Sequence, residues 1–390
     1  MTKRSTERRL QAEAVKRQTK KQVAIGKREA RQNRIIYITI AAIAAVVLTV
    51  ALVGVIMEVI IAPSQPVAIV NGTRLPTDEY QDLVNYNRYF QYITMSNMQT
   101  TLDQLNQSPE ENEFLISFYQ QQISQVQQQL ALVPQTTLDQ LIDYELIAQK
   151  AEEESITVTD TEVEESIRAD MRQALTPAAT EPVTGTEPAP TPVVVTEDDV
   201  DELYGNILDS MGLSASEYEA IVHRELLRDK FQEFLAGQVE TTGLVAHLQI
   251  IQVETEEEAQ AALARIEGGE EFAVVAQEVS TDTLTVDAGG DAGFVTPDQV
   301  AARYGEAVET AVLTMPVGEI EIVESDGVFY VVQVLERDEN GPLPADVVAQ
   351  LQNQALSDWL EERKADPNIE IERTLDPDQI PPDPFAALFR

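Results

Sequence analysis

The sequence predicts an α+β chain, and three observations predict it. Two β-rich apolar runs, Leu244–Val253 and Val328–Val334, enclose short helical segments and a glycine loop. The stretch from Thr77 to Val239 instead repeats its apolar residues mostly at helical spacing. Ahead of both, a basic tail runs into 23 uncharged and mostly apolar residues, Ile35–Met57.

The N-terminal segment is a topology signal. Residues 1–34 carry 12 Lys/Arg against 3 Asp/Glu, net +9, whereas the rest of the chain carries 15 basic and 64 acidic side chains, net −49. Crossing hydrocarbon takes about 20 apolar residues, so residues 35–62 are expected to form a transmembrane helix through Ile35–Met57. Lys and Arg stay on the cytoplasmic side, which makes the tail 1–34 cytoplasmic and the bulk of this single-pass membrane protein extracytoplasmic. A cleaved signal peptide would carry a shorter apolar core, about 7–15 residues. Nucleic-acid binding is not indicated, because the basic residues flank a span and lack interleaved aromatics. The chain has no cysteine, which excludes a lipid-modified cysteine anchor, a disulfide framework and a thiolate site. Two histidines without a carboxylate cluster predict no metal site, and no cofactor is expected.

In order, Pro63–Pro66 reads as a spacer and Val67–Val70 with Asn71-Gly72 as a short strand and turn. Thr77 is the expected cap of a helix reaching about Met98. The Gln-rich segment Thr100–Pro134 has a break near Pro109, then Phe114, Phe118, Ile123, Val126 and Leu130 three to five apart, an amphipathic helical pair. Thr137–Glu154 is the clearest helix, with Leu138, Leu141, Ile142, Leu146 and Ile147 in one stripe. Thr159 or Asp160 caps the next helix. Thr176–Thr196 holds five Pro and six Thr and predicts a loop, after which helices resume at Glu197–Leu208 and Ser214–Val239.

The region of about ninety residues that follows reads as one α+β unit. Helices are expected at Glu256–Ile266, Glu271–Val279 and Glu306–Thr314, with Pro316-Val317-Gly318 a turn. At its centre stand Ser280-Thr281-Asp282 and the loop Gly289-Gly290-Asp291-Ala292-Gly293-Phe294. Asp291 is expected to hold that loop through backbone hydrogen bonds. Beyond it, Leu343–Lys364 predicts a helix, Ile369–Ile371 a strand, and residues 374–390 a disordered tail.

This order of elements, with His247 in the first strand, Asp282 seven residues before the paired glycines, the Gly-Gly-Asp-x-Gly-Phe loop, and Gln299-Val300 with Tyr304, resembles the parvulin family of peptidyl-prolyl isomerases. The resemblance covers residues 244–338 and implies a small antiparallel sheet. It implies His247 and Asp282 as the catalytic polar groups. The family's second histidine falls on Tyr330 when the strand ends are aligned, and on Phe329 when counted from Gly327; a tyrosine hydroxyl there could orient His247. The resemblance further implies Ala292, Phe294, Gln299, Val300, Tyr304 and Met315 as substrate-binding residues, and a single apolar cleft on which His247, Asp282 and Tyr304 converge. Arg265, Arg303 and Arg337 are the only basic residues of the unit, too few for a phosphate-reading isomerase.

Residues 63–243 resemble the mostly α-helical chaperone domain of extracytoplasmic foldases of the SurA and PrsA type. That resemblance implies that residues 339–373 fold back onto this domain, with Trp359 as anchor. Together the two resemblances imply a membrane-anchored prolyl isomerase and folding chaperone whose partners are unfolded exported polypeptides with X-Pro bonds. The alternative is a non-catalytic holdase with a degenerate parvulin domain.

Overall fold

The structure is a computed structural model that describes residues 65–176 and 195–384, with short pieces at 7–11, 13 and 49. The expected span Ile35–Met57 (apart from Thr49), most of the tail 1–34, most of the Pro/Thr-rich loop and residues 385–390 lie outside the described residues. Among the described residues no helix is long and apolar enough to cross a membrane.

The elements run β1 (Pro66–Val70), β2 (Thr73–Pro76), α1 (Thr77–Leu105), α2 (Pro109–Glu154), α3 (Asp160–Leu175), α4 (Glu197–Met211) and α5 (Ala215–Gln238). Then come β3 (Thr242–Val253), α6 (Glu256–Glu267), α7 (Phe272–Val279), β4 (Asp291–Val295), α8 (Pro297–Tyr304) and α9 (Glu306–Thr314). The chain closes with β5 (Ile320–Ser325), β6 (Val328–Pro342), α10 (Ala345–Ala365) and β7 (Ile371–Arg373). It divides into two compact units, one formed by residues up to Ile142 with Asn206–Glu217 and Glu370–Arg390, the other by Asp143–Gly205 and Tyr218–Ile369.

In the first unit, β1 and β2 form a hairpin about Asn71 and Gly72, whose φ angles of 49° and 85° are those a tight two-residue turn demands. Thr77 does not cap α1. Pro76 occupies that position, and the Thr77 hydroxyl donates to the Gln65 carbonyl at 2.9 Å. Helix α1 runs on to Leu105, past Met98, because Tyr92, Met95 and Leu102 continue its buried stripe. Helix α2 begins at Pro109, where a missing N–H costs nothing, is kinked at Asn112, and does not break at Pro134. Buried Val133, Thr137 and Leu138 flank that proline, and its carbonyl accepts the Tyr80 hydroxyl at 2.8 Å. Strand β7 pairs antiparallel with β1. The residues after it up to 384 are ordered against α1: Arg88 donates to the Pro381 carbonyl at 2.9 Å and the Tyr92 hydroxyl to Asp383 at 2.7 Å. These bonds correct the expectation of a disordered tail for that part.

In the second unit, Ile147, Ala151, Leu227, Phe231 and Leu356 form a helical core, with Trp359 packed on it. The Trp359 and Phe231 rings meet edge-to-face at 4.7 Å, so α10 docks on α5 and the end of α2. Thr159, not Asp160, caps α3, in a reciprocal arrangement with Glu162. The sheet is antiparallel in the order β4-β3-β6-β5. Alternation along β3 sets its two faces. Ala246, Leu248 and Ile250 pack under α8 and α9, whereas Ile251 and Val253 pack under α6 and α7. Helix α8 is absent from the sequence expectation. Thr296 and Gln299 form its capping box and Pro297 its first turn.

Candidate functional site

The glycine loop shapes the site because only glycine fits its backbone. Gly289 and Gly290 have φ of 70° and 81°. A Cβ on Gly289 would stand 2.6 Å from the Ala273 Cβ, and one on Gly290 would stand 2.7 Å from the Ile250 carbonyl oxygen. The loop can therefore close down on α7 and β3, and the Ile250 amide donates to the Gly290 carbonyl at 2.8 Å.

That closure seats Asp282 in the interior, where its side chain is 5% exposed. Oδ1 accepts the Leu284 amide at 3.0 Å, and Oδ2 accepts the Thr285 hydroxyl at 2.7 Å and the Tyr304 hydroxyl at 3.1 Å. Three donors satisfy the buried carboxylate. Burial, then the Asp282 charge, pushes the Tyr304 phenol well above its ordinary range. The Tyr330 phenol is raised by the same two causes, with Asp326 adding to them.

Around this polar centre the structure gathers Val300, Tyr304, Met315 and Tyr330 into one apolar cluster, with Ala292 packed against it. The Tyr304 and Tyr330 rings meet edge-to-face at 5.7 Å. Ile250 and Thr285 belong to the same site and were not singled out from the sequence. The alternation Leu248, Gln249, Ile250 was the available signal for Ile250, and the spacing Asp282 to Thr285 for the hydroxyl.

His247 does not join them. It lies on the opposite face of β3 from Leu248 and Ile250. It also stands five residues before Gln252, the residue whose carbonyl accepts the Thr281 amide, which is roughly 16 Å along a strand. Its Nε2 pairs with Asp291 Oδ1 at 2.8 Å, and its ring lies 5.0 Å from that of Phe294. Tyr330, opposite Gln252 in the ladder, therefore cannot orient His247. Of the three residues expected to share one cleft, only Asp282 and Tyr304 are in contact, and both are buried in the packed interior.

Two more expected contacts fall elsewhere. Phe294 is exposed beside His247, on the face away from the cluster. Gln299 uses its carbonyl oxygen to cap the Thr296 amide at 3.1 Å, and its amide donates to Asp346 at 2.9 Å. Asp291 holds the loop as expected, accepting the Gly293 amide at 2.8 Å. Burial raises its carboxyl, but the Gly293 amide and then His247 outweigh that and leave it below the ordinary range.

Residues 241–338 match the family model of the PPIC-type PPIASE domain. The periplasmic chaperone PpiD of Haemophilus ducreyi is 32% identical over 103 residues, which are 26% of this chain and 16% of that protein. The foldase protein PrsA of Caldanaerobacter subterraneus is 25% identical over 272 residues, 67% of this chain and 73% of that protein. A solved structure of the peptidylprolyl isomerase PrsA from Bacillus anthracis is 19% identical and covers 59% of this chain and 90% of that one, at a TM-score of 0.27. The chain spans only 16 to 27% of the length of the first curated relatives it matches.

Proposed function

We propose that this chain is a prolyl isomerase and folding chaperone for exported polypeptides, with residues 244–338 as its isomerase domain. The observation that carries the reading is the Asp282–Tyr304 pair, a carboxylate and a hydroxyl set in an apolar cluster. Rotation about an X-Pro bond crosses a barrier of about 18–20 kcal/mol and needs no covalent step. Removing water from the imide and aiming fixed polar groups at it favours the twisted state over the planar one. Asp282 supplies a negative field beside the imide carbonyl, which weakens amide resonance. Ala292, Val300, Tyr304 and Met315 supply the apolar wall for the proline ring, and Tyr330 the second hydroxyl.

In this reading residues 63–243 and 339–373 form the helical chaperone part, and Ile35–Met57 anchors the chain with the basic tail in the cytoplasm. Protease added to intact spheroplasts should then digest the large acidic part; its survival until lysis would contradict the orientation.

A second reading, a holdase with a degenerate isomerase domain, is favoured by one observation. Val300, Tyr304 and Met315 are 1%, 4% and 2% exposed, so the apolar wall is occupied by the chain's own packing. A proline-isomerisation assay on the full chain separates the two. Acceleration of a proline-limited refolding step that Asp282→Ala abolishes supports the enzyme, and acceleration that survives it supports the holdase.

A further inference from the structure

The face of the sheet that carries His247 is covered by α6 and α7 only at the Ile251 and Val253 end. At its other end lies an open groove of about 220 Å³, lined by Phe294, Pro342, Pro344, Glu336 and Asp338 over the buried Val245. Glu336 stands opposite His247 in the ladder, and Asp338 opposite Val245, so both acids line the same face. Among the described residues neither acid forms an ion pair. Asp338 accepts only its own turn amide, from Asn340 at 2.9 Å.

The domain has no lysine or arginine of its own to place there. Residues 241–338 hold 20 Asp/Glu and three arginines. Arg265 is bound to Glu270 and Glu278, and Arg337 donates to the Val312 and Met315 carbonyls. Arg303 sits on α8, which packs against the opposite face. The volume is below the roughly 300–1,000 Å³ of small-molecule sites and suits one long side chain.

We propose that this groove is a second polypeptide-binding site, which takes the lysine or arginine side chain of an extended, non-native segment. The aliphatic stem lies along Pro342, Pro344 and the exposed Phe294 ring, and the cationic head meets the Glu336 and Asp338 carboxylates. The site is separate from the Asp282–Tyr304 pair and its occupancy does not require turnover. It would give an acidic foldase a hold on basic stretches that have no proline.

The test is fluorescence anisotropy of a labelled, proline-free, unstructured peptide bearing two arginines, against the same peptide with citrulline, titrated with the full chain. Wild type should prefer the arginine peptide by roughly tenfold. Glu336→Gln with Asp338→Asn should abolish that preference, and Phe294→Ala should weaken it about threefold without changing charge. Glu256→Gln with Glu257→Gln on α6 removes the same charge at the far end of the sheet and should leave the preference in place. Equal binding of the two peptides by wild type overturns the proposal. So does equal loss in both double variants, which would reveal only the general acidic field. Neither result bears on isomerase turnover, which is read by a different assay.

Discussion

The Tyr304 hydroxyl donates to Oδ2 of Asp282 at 3.1 Å, and both side chains are buried, at 4% and 5% exposure. A phenol and a carboxylate buried together must satisfy each other, because an unmatched buried polar group costs about 1–3 kcal/mol. Tyr304→Phe is therefore expected to lower stability by about 1 kcal/mol, since Asp282 keeps the Leu284 and Thr285 donors. Tyr304→Ala also empties apolar volume and should cost about 3–5 kcal/mol. Thermal unfolding of the two variants measures both; equal losses would mean that the ring contributes nothing beyond its hydroxyl.

His247 and Asp282 should behave as independent residues. The ladder puts His247 on the other face of β3, with Asp291 as its partner. His247→Ala should therefore change kcat/KM for a proline peptide less than threefold, whereas Asp282→Ala should lower it by roughly 10²-fold, the effect of losing one positioned polar group. The same His247 variant should move the Asp291 titration upward toward the ordinary carboxylate range, as followed by side-chain NMR.

Much of the fold was legible in the sequence, because its signals are local. The stripe Leu138, Leu141, Ile142 needs no partner to announce a helix, and the Asn71-Gly72 pair announces its turn. The site was legible only in part. Asp282, Val300, Tyr304 and Met315 do gather, but His247 was placed by its match to a motif. The alternation His247, Leu248, Gln249, Ile250 already points the histidine away from the side that Leu248 and Ile250 share. Other features depended on long-range partners: Pro134 stays helical because of its packed neighbours, and residues 374–384 are ordered because Arg88 and Tyr92 receive them.

The helical core of the second unit should depend on α10. Leu356 is buried among Ile147, Ala151, Leu227 and Phe231, so Leu356→Ala should cost about 2–5 kcal/mol. Denaturant unfolding followed by Trp359 fluorescence measures it. A loss below 1 kcal/mol would mean that α10 is not part of that core.

Acid should loosen the contact between α3 and α5. The Lys230 ammonium, followed by the Thr159 amide and hydroxyl, lowers the Glu162 carboxyl to about 2. A depressed carboxylate stabilises the fold above its unfolded value, near 4.3, and that contribution disappears as pH falls toward 2. Lys230→Met should bring the Glu162 titration back toward the ordinary range. An unchanged titration in the variant would show that the cap alone holds it down.

The most direct measurement is the rate of a proline-limited refolding reaction with catalytic amounts of the full chain, wild type beside Asp282→Ala. Wild type should give a clear acceleration that falls by roughly 10²-fold in the variant. No acceleration by wild type, or equal acceleration by both proteins, would contradict it.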